Sequence, residues 1–332
     1  KAKGSTQKLN YDYLLIATGA SVKLPDTQGV NKKGVFGLRT IEDTRGIMEL
    51  IPLGGIGCVL GGGLIGLKAA YALKKRGLDV RVIVRSSQVL SQVLDKKGAD
   101  IFLNHFKNNG VDVMTETDVT EIIGNGDIKA LRLTGGKVIA TNLVVVGKGI
   151  TPNIDLIKDA GINIDEGILV DERMKTNIPN IYAAGDVAQA YDPIMQRPAL
   201  NALWPNAVEQ GTVAGASMLG AARKYRGSVG MNSADFFGLS VISFGITCPG
   251  KAGYEEISRQ ESDKIYRKII LKDNIIVGAV FLGKLDNAGV FLRMAVERLD
   301  VSVIKSELLD EGFSFAKVRN LISDKEDVYT EV

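Results

Sequence analysis

The chain predicts an α/β fold with a smaller α+β domain at its C-terminal end, on three observations. Short apolar runs at Leu14–Ile16, Ile56–Leu60 and Leu143–Val146 fit buried parallel strands, and each ends in a turn rich in glycine or other small residues. A segment with apolar residues at helical spacing, Leu64–Lys75, follows the second run without a break. From Arg226 onward strand follows strand before any helix comes, the order that marks a separate α+β domain.

With 332 residues the chain is too long for one ordinary core, so two or three domains are expected. Its 45% hydrophobic and 24% charged content is that of a globular protein. A net charge of +3 with no basic stripe among aromatics excludes a nucleic-acid partner. Apolar stretches such as Val277–Leu282 fall well below the ~20 residues of a membrane helix, so no membrane is expected. Cys58 and Cys248 are the two cysteines and share no C-x-x-C spacing, which argues against a disulfide framework or a metal site. Such sparing use fits a reducing, cytoplasmic compartment. No charged-then-apolar leader follows Lys1, and a chain that opens without methionine is expected to lack its true start.

Taken in order, Lys8–Ala20 is a strand running into Ala17-Thr18-Gly19-Ala20, a turn whose small residues let backbone approach a ligand. Gly34–Asp43 leads into a helix closed by Ile51-Pro52, with Arg39 read as a surface ion-pair partner. Then comes GCVLGGGLIGLKAA, residues Gly57 to Ala70. Gly61, Gly63 and Gly66 make the G-x-G-x-x-G spacing: one glycine for the tight turn, one for close approach to a pyrophosphate, one for close helix packing. N–H groups at the start of the helix would meet the phosphates. Lys74, Lys75 and Arg76 suit the helix C-terminus, Gly77 stops it, and Val80–Val84 is the next strand, so a whole βαβ unit fits.

The residue after that second strand separates the two nicotinamide cofactors, because a carboxylate accepts from a ribose 2′-OH and a cation pairs with a 2′-phosphate. Here it is Arg85, followed by Ser86 and Ser87, with no carboxylate before Asp95. NADPH is the expected cofactor; a solvated loop cation is the competing account of Arg85.

Lys96–Asn108 reads as an amphipathic helix with the single histidine, His105, as a structural residue. Val111–Met114, Val119–Ile123, Ile128–Leu133 and Lys137–Ala140 are short strands with turns at Gly124-Asn125-Gly126 and Gly135-Gly136. Leu143–Val146 ends in Gly147-Lys148-Gly149 and Pro152-Asn153, glycines at the end of a parallel strand where a doubly wound sheet holds its ligand. Ile168–Val170 and Ile181–Ala183 are further strands, the latter running into Ala184-Gly185-Asp186; Asp186 either holds a hydroxyl-bearing ligand or caps a following helix. Ala199–Leu219 is a helix carrying Trp204, with Pro205 marking its first turn. Leu239–Phe244, Lys264–Lys272 and Ile275–Leu282 are strands, Lys272-Asp273-Asn274 a hairpin turn, Asn287–Arg298 a helix, and Asp324–Val332 an acidic end.

In that order YDYLLIATGA, GGGLIG, VVVGKGITPN and TNIPNIYAAGDV resemble the FAD/NAD(P)-linked pyridine nucleotide-disulfide oxidoreductase family over residues 8 to about 220. Arg226–Lys317 is similar to the C-terminal domain of rubredoxin reductases and of the flavoprotein part of NAD(P)H-dependent nitrite reductases. The resemblance implies two Rossmann-like dinucleotide-binding domains, the FAD one incomplete, plus a small α+β domain. The segments are 1–45 and 166–225 for FAD, 46–165 for NAD(P) and 226–332 for an interface domain. It implies that Thr18 and Gly19 line the FAD site and that Gly185 and Asp186 hold FAD, with Asp186 on the ribitol chain. Gly61, Gly63, Gly66 and Arg85 would hold NADPH, or NADH in its place, with Gly147 and Gly149 near the flavin–nicotinamide junction. Trp204 matches a flavin-adjacent tryptophan of related ferredoxin reductases; core packing is the competing account.

Three departures stand beside this. The family's first FAD motif and the region of its reactive cysteine are missing, Lys68 stands where a glutamate usually follows the NAD glycines, and the C-terminal part has no histidine. The implied activity is transfer of electrons from NAD(P)H through FAD to a small redox protein, rubredoxin- or ferredoxin-like, or to a metal centre. The alternatives are a thiol-dependent NADH oxidase or coenzyme A-disulfide reductase, and a non-catalytic NAD(P)-binding subunit or fragment. A homodimer is compatible with each.

Overall fold

A computed structural model describes residues 8–323 apart from Lys251, so the acidic end Asp324–Val332 lies outside the described residues. The chain divides into two compact units, Lys1–Ser21 with Pro152–Gly230, and Val22–Thr151 with Met231–Val332.

The second unit is built on a five-stranded parallel sheet in the order Val35–Phe36, Leu143–Val146, Ile56–Leu60, Asp79–Ile83, Val111–Met114. Its central strands are apolar on both faces because helices or other layers cover both, the condition parallel sheets require. The chain leaves Ile56–Leu60 toward Asp79–Ile83 on one side and returns as Leu143–Val146 on the other, so the end of Ile56–Leu60 is a topological switch point. The helix Leu64–Lys75 buries Leu67, Ala69, Ala70 and Leu73 against the sheet and closes at Arg76, after which Gly77 turns with φ 88°. Asp95 caps the helix Lys96–Asn108 by accepting from Gly98 N at 3.0 Å. A three-stranded antiparallel meander, Val119–Asn125, Asp127–Leu133 and Val138–Ala140, follows.

Residues Met231 onward add a five-stranded antiparallel sheet in the order Met231–Phe236, Leu239–Gly245, Ile275–Leu282, Tyr266–Lys272, Glu255–Gln260. Asp273 and Asn274 both have positive φ, 52° and 58°, the type I′ geometry of a two-residue hairpin. The helix is Ala288–Val296, shorter at both ends than expected, because Asn287 takes a left-handed conformation in front of it and Arg298, with φ 52°, another behind it. The sequence segments and the compact units divide the chain differently: residues 22–45 and the C-terminal sheet fall in the second unit, and residues 152–165 and 226–230 in the first. Phe236 is fully buried against Phe102 and Phe106 of the Lys96–Asn108 helix, which ties the C-terminal sheet into the second unit. Val35–Phe36, inside the first sequence segment, pairs with Leu143–Val146 in the parallel sheet.

In the first unit Leu14–Ile16 pairs in parallel with Ile181–Ala183, and Ile168–Leu169, Ala188–Asp192 and Arg197–Ala199 form a three-stranded sheet. The helix begins at Trp204 and ends at Met218. It starts later than the expected Ala199 because Arg197–Ala199 is taken up as a strand beside Ala188–Asp192, while Pro205 fits the first turn. Leu14 and Leu15 remain 37% exposed on their two-stranded pair. Among the described residues no helix is long and apolar enough to cross a membrane.

Candidate functional site

At the switch point three glycines lock backbone against backbone. Gly61 has φ 119°, and a Cβ there would stand 2.4 Å from the Gly147 carbonyl oxygen. A Cβ on Gly66 would stand 2.2 Å from Gly61 O, and one on Gly147 2.6 Å from Gly66 Cα. Gly63 differs: the nearest atom to its would-be Cβ is 4.0 Å away, so the space in front of the turn is open. No side chain caps the helix that starts after Gly63, which leaves the N–H groups of its first turn for an anion. This turn fits a pyrophosphate on geometry as well as on spacing.

Beside it Arg85, Ser86 and Ser87 are exposed beyond the end of Asp79–Ile83. Leu90 N donates to Gly62 O at 2.8 Å, joining the loop that carries them to the glycine turn. Across the strand ends, Lys148 Nζ lies 2.6 Å from Asp118 Oδ1. Burial would raise the Asp118 carboxyl, but the Lys148 ammonium and the Val119 N–H outweigh it and, with Arg85 nearby, hold it below the ordinary value. Asp118 is therefore ionised at neutral pH and its charge is answered first by Lys148. Gly149 has φ 96° and its carbonyl accepts from Lys23 N at 2.9 Å.

In the first unit Thr18 and Gly19 are half-buried and gripped by Asn153. Thr18 Oγ1 donates to Asn153 O at 2.7 Å, Asn153 Nδ2 to Thr18 O at 2.9 Å, Asn153 N to Gly19 O at 2.9 Å, and Ser21 Oγ to Asn153 Oδ1 at 2.7 Å. The Thr18 hydroxyl thus fixes the turn, and Gly19, with φ 67°, shapes it. Gly185 has φ 81° and donates its N–H to Gln210 Oε1 at 2.8 Å; Gln210 is buried and its Nε2 donates to Tyr225 Oη at 3.3 Å. Asp186 is half-buried in the turn before the strand Ala188–Asp192, so the helix-cap account fails: a strand and not a helix follows. Gly185 also meets the first turns of the Trp204–Met218 helix, its would-be Cβ 3.6 Å from Ala207 Cβ. That helix has no side-chain cap either. Trp204 is 85% exposed, which rules out the core account of it.

Asn153 and Gln210 are the site residues that sequence reasoning missed. A Pro-Asn pair after a glycine-rich strand end was the one signal for Asn153, whereas a glutamine inside a helix gives none until its burial is known.

The remaining chemistry-bearing side chains lie elsewhere. Cys58 is fully buried in Ile56–Leu60, and burial pushes its thiol up to about 11. Burial also raises the exposed Cys248. His105 Nε2 lies 3.0 Å from the Phe236 carbonyl oxygen, which can only accept, so the ring donates and is structural. Lys68 donates to Asp235 O at 2.5 Å and sits over the Phe236 ring at 4.8 Å, so it serves the C-terminal sheet. Among the described residues no group of His, Cys, Asp and Glu could hold a metal ion.

Comparison with known proteins gives two family matches: pyridine nucleotide-disulphide oxidoreductase over residues 1–211, and the rubredoxin NAD+ reductase C-terminal domain over residues 231–297. An NADH oxidase of Methanocaldococcus jannaschii is 40% identical over 225 residues, 67% of this chain and 50% of that protein. The assimilatory nitrate reductase electron transfer subunit of Bacillus subtilis is 29% identical over 91% of this chain and 38% of its own length. Among solved structures, a NAD-dependent persulfide reductase from A. fulgidus superposes with a TM-score of 0.83 at 28% identity, covering 96% of this chain and 64% of that one. The chain therefore spans half or less of the length of these two curated relatives.

Two outcomes follow from the geometry. Gly66→Ala forces backbone apart and is expected to cost about 1–3 kcal/mol in urea unfolding, whereas Gly63→Ala unfolds as the wild type does and loses nucleotide affinity. Iodoacetamide at pH 8 labels Cys248 in the native chain and Cys58 only after denaturation, as peptide mass spectrometry will read; native labelling of Cys58 would contradict its place in the core.

Proposed function

The chain belongs to the pyridine nucleotide-disulphide oxidoreductase family, and from that premise we propose that it acts in electron transfer from NAD(P)H through FAD to a small redox protein or metal centre. The observation that carries this is the open, uncapped glycine turn at the switch point, in a chain whose C-terminal part matches the rubredoxin reductase domain. The partition proposed is 46–165 for the nucleotide, 1–45 with 166–225 for flavin, and 226–332 for the acceptor-side domain.

NADPH is the proposed donor. Arg85 with Ser86 and Ser87 offers a fork of charged and hydroxyl donors to a 2′-phosphate, and Asp118, the nearby carboxylate, is already neutralised by Lys148. Gly61 and Gly66 hold the turn in shape, Gly63 leaves room for the pyrophosphate, and the N–H groups of the following helix bind it. Gly147 keeps the neighbouring strand end close to that turn, and Gly149 ends it.

For flavin, the first unit offers the turn Thr18–Gly19 held by Asn153, the positive-φ Gly185 held by Gln210, and the Asp186 carboxylate, which would accept from ribitol hydroxyls. These groups fit a hydroxyl-rich ligand lying along backbone. When bound, the isoalloxazine supplies hydride acceptance and release of electrons. The protein binds and orients the two cofactors, and exposed Trp204 contributes to the surface at which an acceptor docks. Sparing cysteine use supports a reducing, cytoplasmic location.

Titration of both nucleotides tests the donor. Arg85→Ala is expected to weaken NADPH about 10- to 100-fold, the loss of one charge-assisted contact, and to leave NADH unmoved; equal wild-type affinities would sink the assignment. For the acceptor, the Cys58→Ser, Cys248→Ser double variant should keep NADPH-driven ferricyanide reduction. Loss of turnover with fold and flavin retained would put a thiol in the mechanism.

A further inference from the structure

The start of the loop that carries Arg85 is pinned by Thr117 N donating to Val84 O and Glu116 N donating to Ser86 O, both at 3.0 Å, and the rest of the loop is held from two directions. On one side Leu90 N donates to Gly62 O at 2.8 Å, and Leu90 takes φ 49°, a conformation leucine adopts only when its surroundings impose it. On the other side the loop meets the C-terminal sheet. Thr247 Oγ1 donates to Gln92 O at 3.1 Å. Asp95, which ends the loop, accepts from Tyr266 Oη at 2.6 Å and pairs with Lys268 Nζ at 3.1 Å, both on Oδ2. Its other oxygen accepts from Gly98 N and caps the next helix.

The Lys268 side chain is 2% exposed and its second partner is Glu256 at 2.8 Å. Tyr266 is 1% exposed. The buried ammonium and the buried phenol converge on the Asp95 carboxylate, so two side chains of the C-terminal sheet fix one residue of the loop. Val89, Leu90, Val93 and Leu94 are buried, while Arg85, Ser86 and Ser87, which precede both holds, reach solvent.

We propose that Asp95, Tyr266 and Lys268 are positioning residues for the nucleotide: the C-terminal sheet, which supplies no glycine-turn contact itself, sets the Arg85–Leu94 loop against the turn and so determines selectivity for a 2′-phosphate. The proposal rests on the reading of Arg85 as the 2′-phosphate ligand. A misplaced loop weakens NADPH more than NADH, because only NADPH uses the loop's charge. The C-terminal sheet then has a role on the donor side of the reaction besides its place on the acceptor side.

The test uses the 332-residue chain. Asp95→Asn with Lys268→Met removes both charges together, keeps an N-cap residue and leaves no lone buried ion on either. Tyr266→Phe is the second variant, conservative enough to fold if the first does not. Two quantities are read: hydrogen exchange of the Leu90 amide, which needs no nucleotide, and the ratio of NADH to NADPH dissociation constants. The expected result is faster exchange at Leu90 and a ratio that falls about tenfold, with helix content unchanged. Unchanged exchange at Leu90 in both variants overturns the proposal whatever the nucleotides do. Faster exchange with the wild-type ratio preserved overturns it too. Faster exchange in a chain whose wild type binds both nucleotides equally upholds the hold on the loop and removes the 2′-phosphate reading of Arg85 along with the selectivity built on it.

Discussion

The structure depends on one contact without side chains, the meeting of Gly61, Gly66 and Gly147. Each occupies space in which the others' backbone leaves no room for a methyl group. Their contact brings the start of the Leu64–Lys75 helix down onto the ends of two parallel strands at the switch point, and everything that faces a ligand is placed from there. Were any one of them larger, the helix would rise and its N–H groups would point past the phosphate position. Gly63 stands out by contrast: it is the glycine of the motif with open space before it, so the packing of the fold does not require its smallness.

Charge around that contact is ordered in a way the strands impose. Asp79–Ile83 delivers Arg85, the turn after Val111–Met114 delivers Asp118, and Leu143–Val146 delivers Lys148. Parallel strands bring their carboxyl ends to one edge, so three residues far apart in sequence become neighbours. The Lys148–Asp118 pair, about three-quarters buried on both sides, holds a carboxylate that would otherwise oppose an anionic ligand. The same edge sets the cation Arg85 beside a carboxylate whose charge Lys148 already answers.

Much of this was legible in the residues. Apolar runs with both faces covered gave Ile56–Leu60 and Leu143–Val146 their bounds, and the glycine spacing with a following helical period located the turn. The two edge strands of the C-terminal sheet were not legible. Met231–Phe236 exposes half of its residues and Glu255–Gln260 nearly all, so they carry no sustained apolar run to read. Nor was the role of Gly147, read as a ligand-side glycine, since its closeness to Gly66 exists only once the strands are paired. Asn153 and Gln210 escaped for a related reason: their bonds to Thr18, Gly19 and Gly185 join segments whose nearness is a product of topology. The tie between the C-terminal sheet and the Lys96–Asn108 helix escaped in the same way, because Phe236 meets Phe102 and Phe106 across more than a hundred intervening residues.

The clasp of Asn153 on Thr18 also dictates a timetable for the nascent chain. Its two halves are 135 positions apart, so at roughly 5–20 residues per second the turn waits on the order of 7–27 s on the ribosome before its partner is made. During that interval Leu14 and Leu15 lack Ile181–Ala183, while Val22–Thr151, lying wholly between the two halves, can begin to condense. Leu14–Ile16 is paired only once Ile181–Ala183 has been made, and until then its apolar edge is open to a chaperone.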